Sequence, residues 1–171
     1  MNTKHLAILI IPALFSACNR TAESPPPQDN DEDTPIFVVV DVKDGDTIEL
    51  DDGRLVRLVG IDTPEMNYGG TPEPCAIEAK EFAVEFSQGK SCYLVTNAPV
   101  GDAIDGYGRT LAFVHILPDS ACMNVEIVRA GWSIAWDRYP IRSDYWNRLA
   151  IAEGEASADG RGIWDAENNC R

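Results

Sequence analysis

At 171 residues the chain has room for one ordinary domain with some length to spare. Its formal net charge is −14, from 14 Lys+Arg against 28 Asp+Glu. From Ile36 onward the balance is still 12 against 23, a net of −11, so the acid is not a tail on a basic body, and tight non-specific binding of nucleic acid through bulk charge is excluded.

Residues 1–17 read as an export signal. Lys4 and His5 precede the apolar run Leu6 to Phe15, which closes on the small residues Ser16-Ala17. The run is too short for a bilayer span. Cys18 follows directly, as in a bacterial lipoprotein signal, where that cysteine becomes the lipid-modified first residue; an ordinary secretory signal cleaved near Ala17 is the alternative. Residues 18–35 hold Pro25-Pro26-Pro27 and the acidic run from Asp29 to Asp33 with no apolar period. That is the composition of a disordered, partly extended tether. The expectation is an exported protein, anchored to a membrane through Cys18 in the periplasm or at the cell surface, otherwise secreted. Its folded domain runs over 36–171, as a monomer.

The β-branched run from Phe37 to Val42 predicts a strand, Asp44-Gly45 a turn, and the alternation Thr47-Ile48-Glu49-Leu50 a second strand. Asp52-Gly53 turns again into a third strand, Leu55 to Ile61. Thr63-Pro64 breaks it, and a loop rich in Gly and Pro follows. Ala76, Ala79, Phe82, Ala83 and Phe86 fall at helical spacing, so residues 75–86 predict an amphipathic helix. Strands are expected at Cys92 to Thr96 and Arg109 to Leu117. Helices follow at Met123 to Ala130, closed by Gly131, and at Ile141 to Ala158. Three strands, a helix, two strands and two helices suit an α+β domain, a small barrel capped by helices.

Cysteine count agrees with export. Without Cys18 four remain, an even set for an oxidising compartment. A helix of about 13 residues between Cys75 and Cys92 would hold them some 20 Å apart, beyond the ~7 Å that a disulfide spans. The expected pairs are Cys92–Cys122 and Cys75–Cys170, against four unpaired buried thiols.

Three short segments carry chemistry: Asp44-Gly45-Asp46-Thr47, Arg57 to Glu65 with Asp62-Thr63-Pro64 inside it, and Asp105-Gly106-Tyr107-Gly108-Arg109. Singly each reads as a turn or strand end with solvated charges. Arg57 is odder, because a charge inside an apolar strand is usually paired or functional. Jointly they make sense. Asp46 and Asp62 with the Thr63 carbonyl supply oxygens that suit Ca²⁺. Glu65 offers a general base, and Arg57 and Arg109 offer forks for a phosphate whose charge grows as water attacks.

These segments resemble the staphylococcal nuclease (thermonuclease) family, from about Val39 to Trp164, including Val128-Arg129-Ala130-Gly131 and Gly162-Ile163-Trp164. The resemblance implies a five-stranded OB-fold barrel with three helices and calcium-dependent cleavage of DNA and RNA to 3′-phosphates. By position it implies Asp46, Asp62 and Thr63 as calcium ligands, with Asp44 acting through water. It implies Arg57, Glu65 and Arg109 as catalytic residues, Tyr107 near the bound nucleotide, and Trp136 as a stacking aromatic. The family's Ala-Tyr-x-Tyr-Lys-Pro segment reads here Ala135-Trp136-Asp137-Arg138-Tyr139-Pro140, Gly106 replaces a frequent basic residue, and the loop after Glu65 lacks lysines. Barrels of this family also serve as non-catalytic nucleic-acid- or protein-binding modules, as would suit the cell envelope. Those usually lose some of these acids and arginines, and this chain keeps the set.

Overall fold

In the computed structural model, residues 34–97 and 103–170 are described. The expectations for the signal, for Cys18 and for all but the last two residues of the tether fall outside them. Among the described residues no helix is long and apolar enough to cross a membrane.

The β-branched start forms β1 (Phe37–Asp44). It pairs antiparallel with β2 (Thr47–Leu50), with register shifts between Val39 and Asp41 and between Val42 and Asp44. Those irregularities let Val39 and Val42, three residues apart, both enter the core, while Val40 stays exposed. β2 pairs with β3 (Leu55–Leu58), also antiparallel. After α1 (Ala76–Ser87), β5 (Ser91–Thr96) joins β1, and β6 (Thr110–Ile116) joins β5. A parallel pairing of β6 with β3 then closes the ring. The result is a closed five-stranded mixed barrel with three helices, as the resemblance implies.

The third strand is shorter than its sequence pattern suggests. It stops at Leu58, and β4 (Ile61–Asp62) leaves the barrel to pair with β8 (Ile134–Ala135). Gly60 makes the break: its φ is +77°, and a Cβ there would lie 2.6 Å from Leu149 Cδ1. Breaking the strand turns Asp62 away from the barrel wall and towards the β1–β2 turn.

The short strand β7 (Ala121–Cys122) leads into α2 (Met123–Arg129), and α3 (Ser143–Ala158) packs against α2. Between barrel and helices lie Phe113, stacked on Tyr145 with ring centroids 3.8 Å apart, and Ile48, Leu58, Ile127 and Leu149, all fully buried. Each such aliphatic side chain contributes roughly 1.5–3 kcal/mol through its removal from water.

One expected disulfide forms and the other does not. Cys75 is bonded to Cys170, with Cα atoms 5.5 Å apart. Cys92 and Cys122 are free buried thiols. β6 separates them: Cys92 faces Ile116 from one side of that strand and Cys122 faces His115 from the other. Two interstrand spacings put them about 10 Å apart, outside disulfide reach.

Candidate active site

The β1–β2 turn carries the first part of the site. The Asp46 amide donates to Asp44 Oδ1 (3.1 Å), a local bond that shapes the turn. Gly45 sits against Thr63, where a Cβ would come 2.8 Å from Cγ2, so the turn and the end of β4 touch directly. The Thr63 amide donates to Asp46 Oδ2 (3.3 Å), and both residues are buried. Asp46 is thereby aimed inward beside the Thr63 backbone.

Arg57, opposite Thr47 across β2–β3, enters the same space. Its Nη2 lies 2.9 Å from Asp46 Oδ2 and 3.3 Å from Asp62 Oδ1. Its Nη1 donates to the Leu58 carbonyl (2.8 Å) and the Ile61 carbonyl (3.1 Å). The odd charge in the apolar strand is therefore paired, and held by the backbone of the broken strand. Asp62 is fixed in turn by Ser133, whose buried Oγ accepts from the Asp62 amide (3.0 Å) and lies 2.9 Å from its carbonyl.

Glu65 is exposed on the following loop. Its amide donates to Glu73 Oε2 (2.9 Å), and the Glu73 amide donates back to the Glu65 carbonyl (3.0 Å). Partial loss of water raises its carboxyl above the ordinary range, and the acids Asp44, Asp62 and Glu73 add to that against Arg57. Burial raises Asp46 further, to about 7; Arg57 opposes the shift, and Asp44 and Glu65 reinforce it. At Asp46 burial outweighs the attraction of Arg57, and the neighbouring acids add to it.

Arg109 approaches from the other side. Asp105 Oδ1 accepts from the Tyr107 and Arg109 amides (2.9 Å each), which builds the turn before β6. Its Oδ2 accepts from Arg109 Nε (2.7 Å). Arg109 Nη1 donates to the Thr47 hydroxyl (3.2 Å). Desolvation works against the Asp105 carboxylate, but these bonds hold it below its usual range.

Both arginines line one cleft of about 620 Å³. Its other walls include Tyr107, 89% exposed, and Trp136 and Tyr139, which meet edge to face with centroids 5.5 Å apart. The cleft thus gathers both arginines and the aromatics; Asp46 and Asp62 do not line it and join it through Arg57, Thr63 through Asp46, and Glu65 stands on the exposed loop beside Glu73.

The staphylococcal nuclease homologue family model matches residues 55–166. A thermonuclease of Staphylococcus intermedius is 33% identical over 133 residues, covering 75% of this chain and 76% of its own length. A thermonuclease of Staphylococcus hyicus is 31% identical over 132 residues, covering 75% of each. An uncharacterized endonuclease of Escherichia coli O157:H7 is 32% identical over 137 residues, covering 74% of each. This chain belongs to the staphylococcal nuclease family. It is a nuclease, a hydrolase.

Within the family frame, the altered Trp136–Pro140 segment keeps a place beside the cleft. The Trp136 amide donates to the Gly60 carbonyl (2.9 Å), and Asn97 Nδ2 donates to the Pro140 carbonyl (2.8 Å). A nuclease needs fixed positive charge near a phosphate and a way to balance its acids. Among the described residues no three His, Cys, Asp or Glu side chains converge as a ready metal cage. The donor set still fits a hard cation: carboxylates of Asp46 and Asp62, the Thr63 carbonyl, and an excess of acid that water and a dication would balance.

Thr47, Asp105, Ser133 and Asn97 escaped the sequence reading as site residues. Thr47 and Asp105 carry a signal in hindsight, since they adjoin the motif acids. Ser133 and Asn97 carry none, because their partners lie 71 and 43 residues away.

Proposed function

We propose that this nuclease is calcium-dependent and cleaves phosphodiester bonds of DNA and RNA, leaving 3′-phosphates. The observation that carries the reading is the buried Asp46 carboxylate facing Arg57, with Asp44, Asp62 and Glu65 around it. Such crowding costs folding free energy, and a bound dication would offset it. Asp46, Asp62 and the Thr63 carbonyl would hold Ca²⁺, with Asp44 acting through water. When bound, Ca²⁺ supplies Lewis-acid polarisation of phosphate oxygen and water.

The chain's own groups do the rest. Glu65, whose carboxyl is raised by partial burial, takes a proton from the attacking water. Arg57 and Arg109 face the cleft and stabilise the added negative charge of the five-coordinate phosphorus more than that of the ground state. The 5′-oxygen then leaves. Tyr107 and Trp136 stack on or flank the nucleotide, a contact that tolerates any base. The acidic surface leaves this local set to provide affinity, so binding is expected to be weak and salt-sensitive.

The test is end-group analysis of single-stranded DNA and RNA oligonucleotides after incubation with Ca²⁺ or chelator. Fragments ending in 3′-phosphate, formed only with Ca²⁺, are expected. Fragments ending in 3′-hydroxyl would contradict the bond assignment, and cleavage in chelator would contradict the metal.

The N-terminal sequence supports export and lipid anchoring of the enzyme. Labelled palmitate should enter the protein in a bacterial host and be lost in Cys18→Ala; no label in the parent chain would leave the ordinary secretory signal.

A further inference from the structure

The Thr47 hydroxyl has no part in the chemistry described above, yet it is buried at its centre. It accepts from Arg109 Nη1 and donates to Asp46 Oδ1, both at 3.2 Å. The polarity is forced. A guanidinium has only donors, so the single hydroxyl proton is left for the carboxylate. The other oxygen of Asp46 faces Arg57 Nη2 (2.9 Å) and the Thr63 amide (3.3 Å). One carboxylate therefore contacts one arginine directly and the other through a hydroxyl.

Arg109 has its second anchor at Asp105, which holds Nε (2.7 Å). With Nε held by Asp105 and Cζ 5.4 Å from the centre of the Tyr107 ring, the bond at Nη1 is a further hold on the plane of the fork and on rotation about Nε–Cζ. We propose that Thr47 is a positioning residue for Arg109, setting the plane of the guanidinium and tying it to the Asp46 carboxylate. The inference rests on the role given to Arg109 above.

The side chain offers a clean substitution series. Thr47→Val keeps the shape and removes the hydroxyl, and Thr47→Ser keeps the hydroxyl and loses a methyl. Rotation about the Arg109 Nε–Cζ bond, read by NMR from exchange of its two Nη groups in the metal-free protein, reports the anchor without any turnover. Exchange should be slow in wild type and Thr47→Ser and faster in Thr47→Val. Under single turnover with Ca²⁺ and denatured DNA, Thr47→Val should lose about 10- to 100-fold in rate, the scale of one hydrogen bond to a charged group. KM should move little, and Thr47→Ser should stay near wild type. In an Arg109→Ala background Thr47→Val should cost nothing further, as expected for residues acting as a unit.

Thr47→Ala takes the same measurements if the valine variant does not fold. Unchanged Nη exchange, or an equal loss with and without Arg109, would overturn the inference. Wild-type turnover of Thr47→Val beside a crippled Arg109→Ala would overturn it while leaving the role of Arg109 standing. Wild-type turnover of Arg109→Ala would overturn that role and this inference with it.

Discussion

Two regions of the barrel bury polar groups, and they do so differently. Under α2 and α3 the buried side chains of Asn124 and His115 are matched to partners. Asn124 Oδ1 accepts from the Val114 amide (3.0 Å), and its Nδ2 donates to the carbonyls of Val59 (2.9 Å) and Ala112 (3.2 Å). His115 lies between the Ser120 carbonyl (2.9 Å) and the Tyr145 hydroxyl (2.7 Å). At the β1–β2 turn the buried groups are charged and out of balance, with Asp46 raised to about 7 beside one arginine. Satisfied neutral bonds stabilise a fold by modest amounts and punish their loss. Crowded charge does the reverse: it costs stability and stores an affinity for something absent from the chain itself. Substitutions in the two regions should therefore fail in opposite ways.

The largest effect belongs to the charged region. Arg109→Ala should lower single-turnover cleavage by about a hundredfold or more, as loss of one transition-state donor does, with an unchanged circular dichroism spectrum and melting temperature. Asn124→Ala should show the opposite pattern. It strands the Val114 amide and weakens two carbonyls, so urea unfolding should report a loss of about 3 kcal/mol while the turnover of the folded fraction stays near wild type. A stable Asn124→Ala would break the contrast.

Asp46→Asn sharpens it further. The unfolded carboxyl titrates near 3.8 and the folded one near 7. A raised carboxyl contributes stability below the unfolded value and loses it as pH rises through the folded one. Metal-free wild type should therefore lose stability relative to Asp46→Asn between about pH 4 and pH 7, read as a growing gap in melting temperature. The variant should be inactive throughout. A gap independent of pH would contradict the burial argument.

How much of this was legible beforehand divides along the same line. Asp46, Asp62, Glu65 and Arg109 are ordinary residues for turns and strand ends, and Arg57 alone is out of place in its apolar strand; the site is legible because the three segments occur together. The barrel strands and helices were legible from alternation and helical spacing. The break at Gly60 was not, because Leu55 to Ile61 is apolar but for Arg57 and Gly60 and reads as one strand, and only the nearness of Leu149 shows why a glycine stands there. Nor was the state of Cys92 and Cys122: an even count suggests a pair, while the strand order that puts β6 between them is a long-range fact. Ser133 was invisible for the same reason.

The smallest effect concerns those thiols. Burial pushes Cys92 up to about 12 and Cys122 to about 11, so neither forms the reactive thiolate at pH 8. Alkylation followed by peptide mapping should label neither in the native protein and both after unfolding, with Cys75 and Cys170 protected until reduction. A Cys92–Cys122 crosslink in the map would contradict the strand order.

The most direct test of the central claim, that the crowded acids and two arginines form one calcium-dependent cleaving site, is cleavage of denatured DNA by the purified protein. Ca²⁺ and chelator should be compared, with Arg109→Ala alongside. The expected result is acid-soluble product that requires Ca²⁺ and falls by at least about two orders of magnitude in the variant. No product from a folded protein with Ca²⁺ present, or equal product from the variant, would contradict it.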